Sequence, residues 1–241
     1  MNVSDYIMKY LANAGVKHVF LISGGGCMHL VDAIGRNEDL EYVCNHHEQA
    51  CAMAAEGYAR MSGGLGACIV TTGPGGTNAL TGLMGCWTDS IPTIFISGQV
   101  ATHQTLAATG LNVRQIGDQE VDIISMVKPI TKYAATVTEP NKIKIHLDEA
   151  LHEATTGRKG PVWLDIPLDI QRAEINAQAL AGIAKAPHTP RPNPEQLITV
   201  MSKIKGAKRP LFIVGNGVRL GNAQKQMLAF LENTKINRLV D

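Results

Sequence analysis

Short β-branched runs alternate with longer stretches of helical character along most of the first 170 residues. Met1 to Asp5 reads as a cap region ahead of a first helix. His18-Val19-Phe20-Leu21-Ile22 predicts a strand that stops at Gly24-Gly25-Gly26, and Leu30 to Ile34 a short helix. Glu41 to Cys44 predicts a second strand, Gln49 to Met61 an Ala-rich helix, and Ala67 to Thr71 a third strand closed by Gly73-Pro74-Gly75-Gly76. A helix over Asn78 to Trp87 and a strand over Thr93 to Ile96 follow. The stretch from Ala101 to Gln119 reads as a loop, Asp122 to Val127 as a short helix and Lys132 to Val137 as a strand. Asn141 to Thr155 predicts an amphipathic helix, and Pro161 to Pro167 a last strand. Repeated β-α units of this kind predict an α/β fold, a mainly parallel sheet with helices on both faces.

The pattern changes after residue 170. From Gln171 to Pro194 strand periodicity disappears, and Pro187, Pro190, Pro192 and Pro194 give the segment the composition of a linker. A new β-α unit then starts, with a helix over Leu197 to Ile204, a strand over Pro210 to Val214 and a helix over Ala223 to Leu231. The expected organisation is a domain over 1–170, a linker over 171–194 and part of a second α/β domain over 195–241.

Composition narrows the function. The net charge of +1 supplies no field for nucleic acid or an anionic membrane, and no apolar run reaches the roughly 20 residues of a membrane span. Neither partner is expected. The five cysteines are odd in number and form no CxxC pair, which favours reduced thiols in a cytoplasmic protein.

Three turns carry candidate chemistry. In Asn45-His46-His47-Glu48-Gln49 a carboxylate stands between a strand and an Ala-rich helix, where open α/β sheets bind ligands. The same carboxylate also suits a helix N-terminus with no further role. His47-Glu48 opens like HExxH, but Cys51 occupies the last position, which argues against a zinc site. Thr71-Thr72-Gly73-Pro74-Gly75-Gly76-Thr77-Asn78 joins a strand to a helix without the Gly-Lys-Ser/Thr ending of a P-loop. Gly215-Asn216-Gly217-Val218-Arg219-Leu220-Gly221 imitates a dinucleotide fingerprint, but its last glycine falls one residue late, so it reads as a structural turn.

Taken in order, Ser23-Gly24-Gly25-Gly26, His47-Glu48-Gln49, Ala54-Ala55-Glu56-Gly57-Tyr58-Ala59-Arg60, Thr72-Gly73-Pro74-Gly75, Thr77-Asn78, Asp89-Ser90-Ile91-Pro92, Ser97-Gly98-Gln99-Val100, Gln119-Glu120-Val121-Asp122 and Gly160-Pro161-Val162 resemble the acetolactate synthase large-subunit family of thiamine-diphosphate enzymes. The resemblance implies that residues 1–170 are a pyrimidine-binding domain and that the central domain opens near residue 190. It implies that Glu48 is the catalytic glutamate that hydrogen-bonds N1′ of the cofactor's aminopyrimidine and favours the 4′-imino tautomer, which takes the thiazolium C2 proton. It further implies cofactor contacts at Gly25, Pro74 and Asn78, and substrate contacts at Gly26, Val100 and Gln119. A 2-keto acid donor such as pyruvate is expected, as is a homodimer or homotetramer, with the helices over Gln49–Met61 and Asn78–Trp87 as contact surfaces. A 2-keto acid decarboxylase or other thiamine-diphosphate enzyme, and a non-catalytic binding or regulatory fragment lacking the diphosphate domain, are the alternatives.

The chain departs from the family at several points. Ile22-Ser23 stands where acetolactate synthases usually have Tyr-Pro, Asp118 where they have a bulky Phe, and the loop over residues 110–117 has an unusual sequence. These positions shape the acceptor pocket, so acceptor and product stay open. The family holds diphosphate and Mg²⁺ in a C-terminal domain through Gly-Asp-Gly and a later Asn. Gly117-Asp118-Gln119 with Asn141 has similar spacing but lacks the last glycine. The expectation is that this chain holds no metal ligands, that a C-terminal domain absent from it holds Mg²⁺, and that the chain is a truncated or degraded piece of a longer enzyme, with a disrupted reading frame and one subunit of a split enzyme as the alternatives. Some relatives carry FAD in the central domain; FAD is left unassigned here.

Overall fold

A computed structural model describes residues 1–183 and 192–240, with side chains to residue 237. The chain divides into two compact units, Met1–Pro187 and His188–Asp241.

In the first unit the elements run α1 (Val3–Asn13), β1 (His18–Leu21), α2 (Met28–Gly35), β2 (Glu41–Cys44), α3 (Glu48–Ser62), β3 (Gly66–Val70), α4 (Pro74–Asn78), α5 (Leu80–Asp89), β4 (Thr93–Gln99), α6 (Leu106–Thr109), α7 (Ile123–Val127), β5 (Tyr133–Thr136), α8 (Ile143–Thr155), β6 (Pro161–Pro167) and α9 (Leu168–Arg172). The six strands form one parallel sheet in the order β2-β1-β3-β4-β6-β5. The α/β expectation, a mainly parallel sheet with helices on both faces, agrees with this architecture.

Strand residues alternate between two cores. Ile94, Ile96, Val162 and Leu164 face the side covered by α1, α2 and α8. Cys68, Val70, Phe95 and Trp163 face the side covered by α3, α5 and α7. The Phe95 and Trp163 rings lie parallel at a centroid distance of 5.2 Å, and both are fully buried. Burying side chains of this size contributes roughly 1.5–3 kcal/mol each. Because β3, β4 and β6 are covered on both faces, every residue in them is buried. β2 is the opposite case, an edge strand whose four residues are all exposed.

Local chemistry sets the helix ends. Asn2 caps α1, its Oδ1 accepting from the Asp5 N–H at 2.8 Å. His47 caps α3 in an extended conformation, with Nδ1 accepting from the Gln49 N–H at 3.1 Å, and Gly63 ends that helix in the left-handed region. This capping role is the use the structure gives to the ring that begins the HExxH-like string.

The segment expected as linker begins inside the first unit. Gln171 and Ile175 are buried, Leu180 packs on the core, and the Ile183 N–H bonds Asp148 Oδ2 at 3.0 Å. Val3 N donates to the Ala173 carbonyl at 3.0 Å and Ile175 N to that of Met1 at 2.9 Å, so this segment runs back along the chain start. Apolar Ile175 and Leu180 anchor it despite its linker-like composition. Pro187 and Pro190 lie outside the described residues.

The second unit contains α10 (Pro194–Gly206), β7 (Leu211–Val214), α11 (Gly217–Leu220), α12 (Gln224–Thr234) and β8 (Asn237–Val240), with β7 and β8 parallel. Phe212 packs edge-on against Phe230 at 5.1 Å. The Gly215 turn leads into the short α11. Among the described residues no helix is long and apolar enough to cross a membrane.

Candidate functional site

The chain leaves β1 through α2 to reach β2 on one side, whereas β3 joins the other side of β1. The connections at the C-terminal ends of β1 and β3 therefore diverge, which opens a crevice between them. The turns at Gly24–Cys27 and Thr71–Gly75 border this crevice, and the start of α3 follows the neighbouring strand β2.

Glu48 is the first residue of α3, and its side chain is half-buried. Asn78, the last residue of α4, donates from Nδ2 to Glu48 Oε2 at 2.9 Å. Glu48 Oε1 has no hydrogen-bond partner among the described residues. A β-carbon built on Gly75 would stand 3.4 Å from that oxygen and 2.6 Å from Thr71 Cγ2, so the glycine keeps the carboxyl approachable from this side. Pro74 occupies the first turn of α4 and is exposed. Thr71 joins the two turns, its Oγ1 accepting from the Gly26 N–H at 3.0 Å. Gly25 is exposed, and a β-carbon there would meet nothing within 4 Å.

The remaining predicted residues gather on the β4 side. Val100 follows β4 and is buried, and its N–H donates to its neighbour Gln99 Oε1 at 3.1 Å. Gln119 sits in the left-handed region at φ 57° and is exposed. Its backbone abuts Gly73, where φ is 60° and a β-carbon would come within 2.3 Å of the Gln119 carbonyl oxygen. Only glycine accepts both that dihedral and that approach. The structure thus joins Glu48 to Asn78 and Gly75, and Gln119 to the Gly73 turn. Among the described residues no hydrogen bond joins Gly25, Pro74 or Val100 to Glu48.

Sequence reasoning missed the polar residues that support these turns. Thr72 Oγ1 donates to the Gly98 carbonyl at 3.1 Å, and Gln171 Nε2 donates to the Gly26 carbonyl at 2.7 Å. Asp165, on β6, is buried and accepts from Ser97 Oγ at 2.6 Å and Gln99 Nε2 at 3.2 Å. Burial pushes its carboxyl up to about 7, against the hydrogen bonds from Ser97, Gln99 and Thr136 that pull it down; the nearby Asp122 charge adds to the rise. A carboxylate inside the apolar run Val162–Ile166 is the signal that could have marked it.

All five cysteines are free thiols; Cys27, Cys51, Cys68 and Cys86 are buried and Cys44 is exposed. Among the described residues no group of three or more His, Cys, Asp or Glu side chains is placed to hold a metal ion.

Residues 1–126 match the family described as thiamine pyrophosphate enzyme, N-terminal TPP binding domain. The chain is 35% identical to a probable acetolactate synthase large subunit of Methanocaldococcus jannaschii, over 98% of this chain and 39% of the relative. It is 37% identical to the acetolactate synthase large subunit of Corynebacterium glutamicum, over 98% of this chain and 37% of that protein. It is 35% identical to the chloroplastic acetolactate synthase of Arabidopsis thaliana, over 97% and 34% respectively. The chain thus spans about two fifths or less of the length of these relatives. With more than half of its length matched by that family and the matched turns gathered at one end of a parallel sheet, the chain belongs to the thiamine pyrophosphate enzymes, of which it carries the N-terminal TPP binding domain.

Proposed function

We propose that this chain is the cofactor-activating part of a thiamine-diphosphate-dependent carboligase of 2-keto acids, of the acetolactate synthase type. The observation that carries the reading is the pair Glu48–Asn78 beside Gly75 in the crevice. The donor set fits an aminopyrimidine edge: one carboxyl oxygen is held by a carboxamide, and the other faces a position without a side chain. Thiamine diphosphate, when bound, supplies the carbanion chemistry at a 2-keto acid.

The protein's part is orientation and proton handling. The Asn78 amide fixes the Glu48 carboxyl in one rotamer, so a proton on Oε1 is presented in a constant direction. The turns at Gly25–Gly26 and Gly73–Gly75 let ligand atoms come close to backbone, with Pro74 bordering the ring. Gly26, Val100 and Gln119 contact the substrate, pyruvate or another 2-keto acid. Asp118, in place of an aromatic side chain, makes the acceptor side more polar than in acetolactate synthases.

In the assembled enzyme the partner surfaces are α3 and α5, whose exposed Met53, Met61, Met84 and Trp87 form apolar ground for a second copy. The protein acts in the cytoplasm as a homodimer or homotetramer, and Mg²⁺ with the diphosphate is held by a further domain of the type the longer relatives have room for.

The test is Glu48→Gln in the assembled enzyme. Hydrogen–deuterium exchange at C2 of bound thiamine diphosphate should fall at least about 100-fold, the lower end of general acid–base contributions. Exchange at the wild-type rate would remove Glu48 from the role and with it this reading.

A further inference from the structure

We propose that Asp165 is a positioning residue for this site: its buried carboxyl holds the Gln99 side chain so that one amide anchors both the Val100 and the Val121 segments. The proposal rests on the reading above, because Val100 and Gln119 belong to the chain that these two anchors flank.

The geometry is a relay between neighbouring strand ends. β4 and β6 pair in register, with Ser97 opposite Asp165. Asp165 Oδ1 accepts from Ser97 Oγ at 2.6 Å, and Oδ2 from Gln99 Nε2 at 3.2 Å and Thr136 Oγ1 at 3.4 Å. Gln99 Nε2 also donates to the Val121 carbonyl at 3.0 Å, and Gln99 Oε1 accepts from the Val100 N–H at 3.1 Å. One carboxamide therefore ties β6, the end of β4 and the segment that follows Gln119. Trp163 reports on the same cluster, because its Nε1 donates to Ser97 Oγ at 2.8 Å.

The carboxyl is buried but not sealed. Gln99, Val121, Asp122, Thr136 and Asp165 line a cavity of about 860 Å³, through which protons can reach it. The groups that face Asp165 are Ser97 and Gln99 from β4, Thr136 from β5 and, as the nearby charge, Asp122. Three of these donate hydrogen bonds, which bind an ionised carboxylate more tightly than a neutral acid. Ionisation of Asp165 should therefore tighten the local hold on Gln99 and, through it, on both segments in the folded protein, even as burial of the charge lowers the stability of the domain as a whole. A plain structural clip between β4, β5 and β6 would stabilise the sheet without passing anything to residues 100 and 121.

The experiment uses the 241-residue chain with Trp87→Phe, which leaves Trp163 as the only indole. Trp163 emission and the hydrogen-exchange protection of peptides covering 100–101 and 121–123 are followed from pH 5 to 9. The expected result is a step in emission near pH 7 with a roughly tenfold rise in protection of both segments over the same range. Asp165→Asn should abolish both changes. Gln99→Leu should keep the emission step and abolish the protection step. An emission step with protection unchanged reduces Asp165 to a structural clip and overturns the proposal. A protection step that survives Gln99→Leu, or no step in either signal, overturns it as well. If Asp165→Asn does not fold, the comparison of Gln99→Leu with its parent still decides. None of these signals needs thiamine diphosphate, so failure here leaves the Glu48 test standing, and failure of the Glu48 test leaves this relay intact.

Discussion

Glu48 and Asp165 are both carboxylic acids beside strand ends, and their surroundings separate them. Glu48 is half-buried with one carboxamide partner, whereas Asp165 is buried among three donors. Asp165 has a folded-state value of about 7 against 3.8 for the free side chain, so the folded protein binds its proton more tightly than the unfolded chain. Stability from this group is present below about pH 4 and is lost as pH rises through 7. Chemical denaturation of wild type and Asp165→Asn should show the difference between them falling over that window, by on the order of 4 kcal/mol. A difference that is flat with pH would mean the carboxyl is ionised throughout. Residue type and position left Glu48 open between a ligand-facing carboxylate and a plain helix N-terminus, and the resemblance of His47-Glu48-Gln49 to the family is what singled it out. Its contact with Asn78 was not legible, because β1 lies between β2 and β3 and sequence order does not reveal that arrangement.

At the scale of elements, β4 shows why strand ends were misjudged. The β-branched run suggests a stop at Ile96, yet β4 continues through Ser97, Gly98 and Gln99, because β6 pairs with it along its full length. Pairing partners, which sequence does not display, extended the strand and delivered Gln99 to the site. Gly98 is the tightest point of that extension: a β-carbon there would stand 1.9 Å from the Gly26 carbonyl oxygen and 2.3 Å from its carbon. Neither atom can move without opening the turn after β1. Gly98→Ala should therefore destabilise the domain by roughly 3 kcal/mol or more, measured by urea unfolding. A near-neutral result would show that the Gly26 turn gives way to a methyl group. The helix expected over Asn78–Trp87 is two elements, α4 and α5. Pro74 starts the first of them inside what reads as a loop, since proline suits the opening turn of a helix. The loop expected over 101–119 contains a 3-10 turn over Thr102–Gln104 and one short helix, α6, which Thr105 caps.

At the scale of the whole molecule, the proposed function needs a partner for the diphosphate end of the cofactor. The described residues pair Glu48 with Asn78 and hold no group of three or more His, Cys, Asp or Glu side chains placed for a metal ion. Calorimetric titration of the chain with thiamine diphosphate should accordingly give the same weak signal with and without Mg²⁺. Tight binding that depends on Mg²⁺ would direct attention to Gly117–Asp118 as diphosphate ligands. The helix expected from Leu197 is α10, which opens at Pro194 in the second unit. In the stretch of linker-like composition before it, two apolar residues, Ile175 and Leu180, pack on the first unit's core, and such packing depends on the folded neighbours rather than on local composition.

β6 comes after β4 and β5 in the chain but lies between them in the sheet. While the protein is being synthesised, β5 has no strand to pair with and β4 shows a bare edge until residues 161–167 emerge. Half of the sheet must therefore close in one late event, and the interval before it is the one in which exposed edges invite aggregation. A chain cut at residue 126, where the family match ends, would retain Glu48 and Asn78 yet be left permanently in that interval. The shortest piece able to present the site as a folded surface extends at least to Pro167.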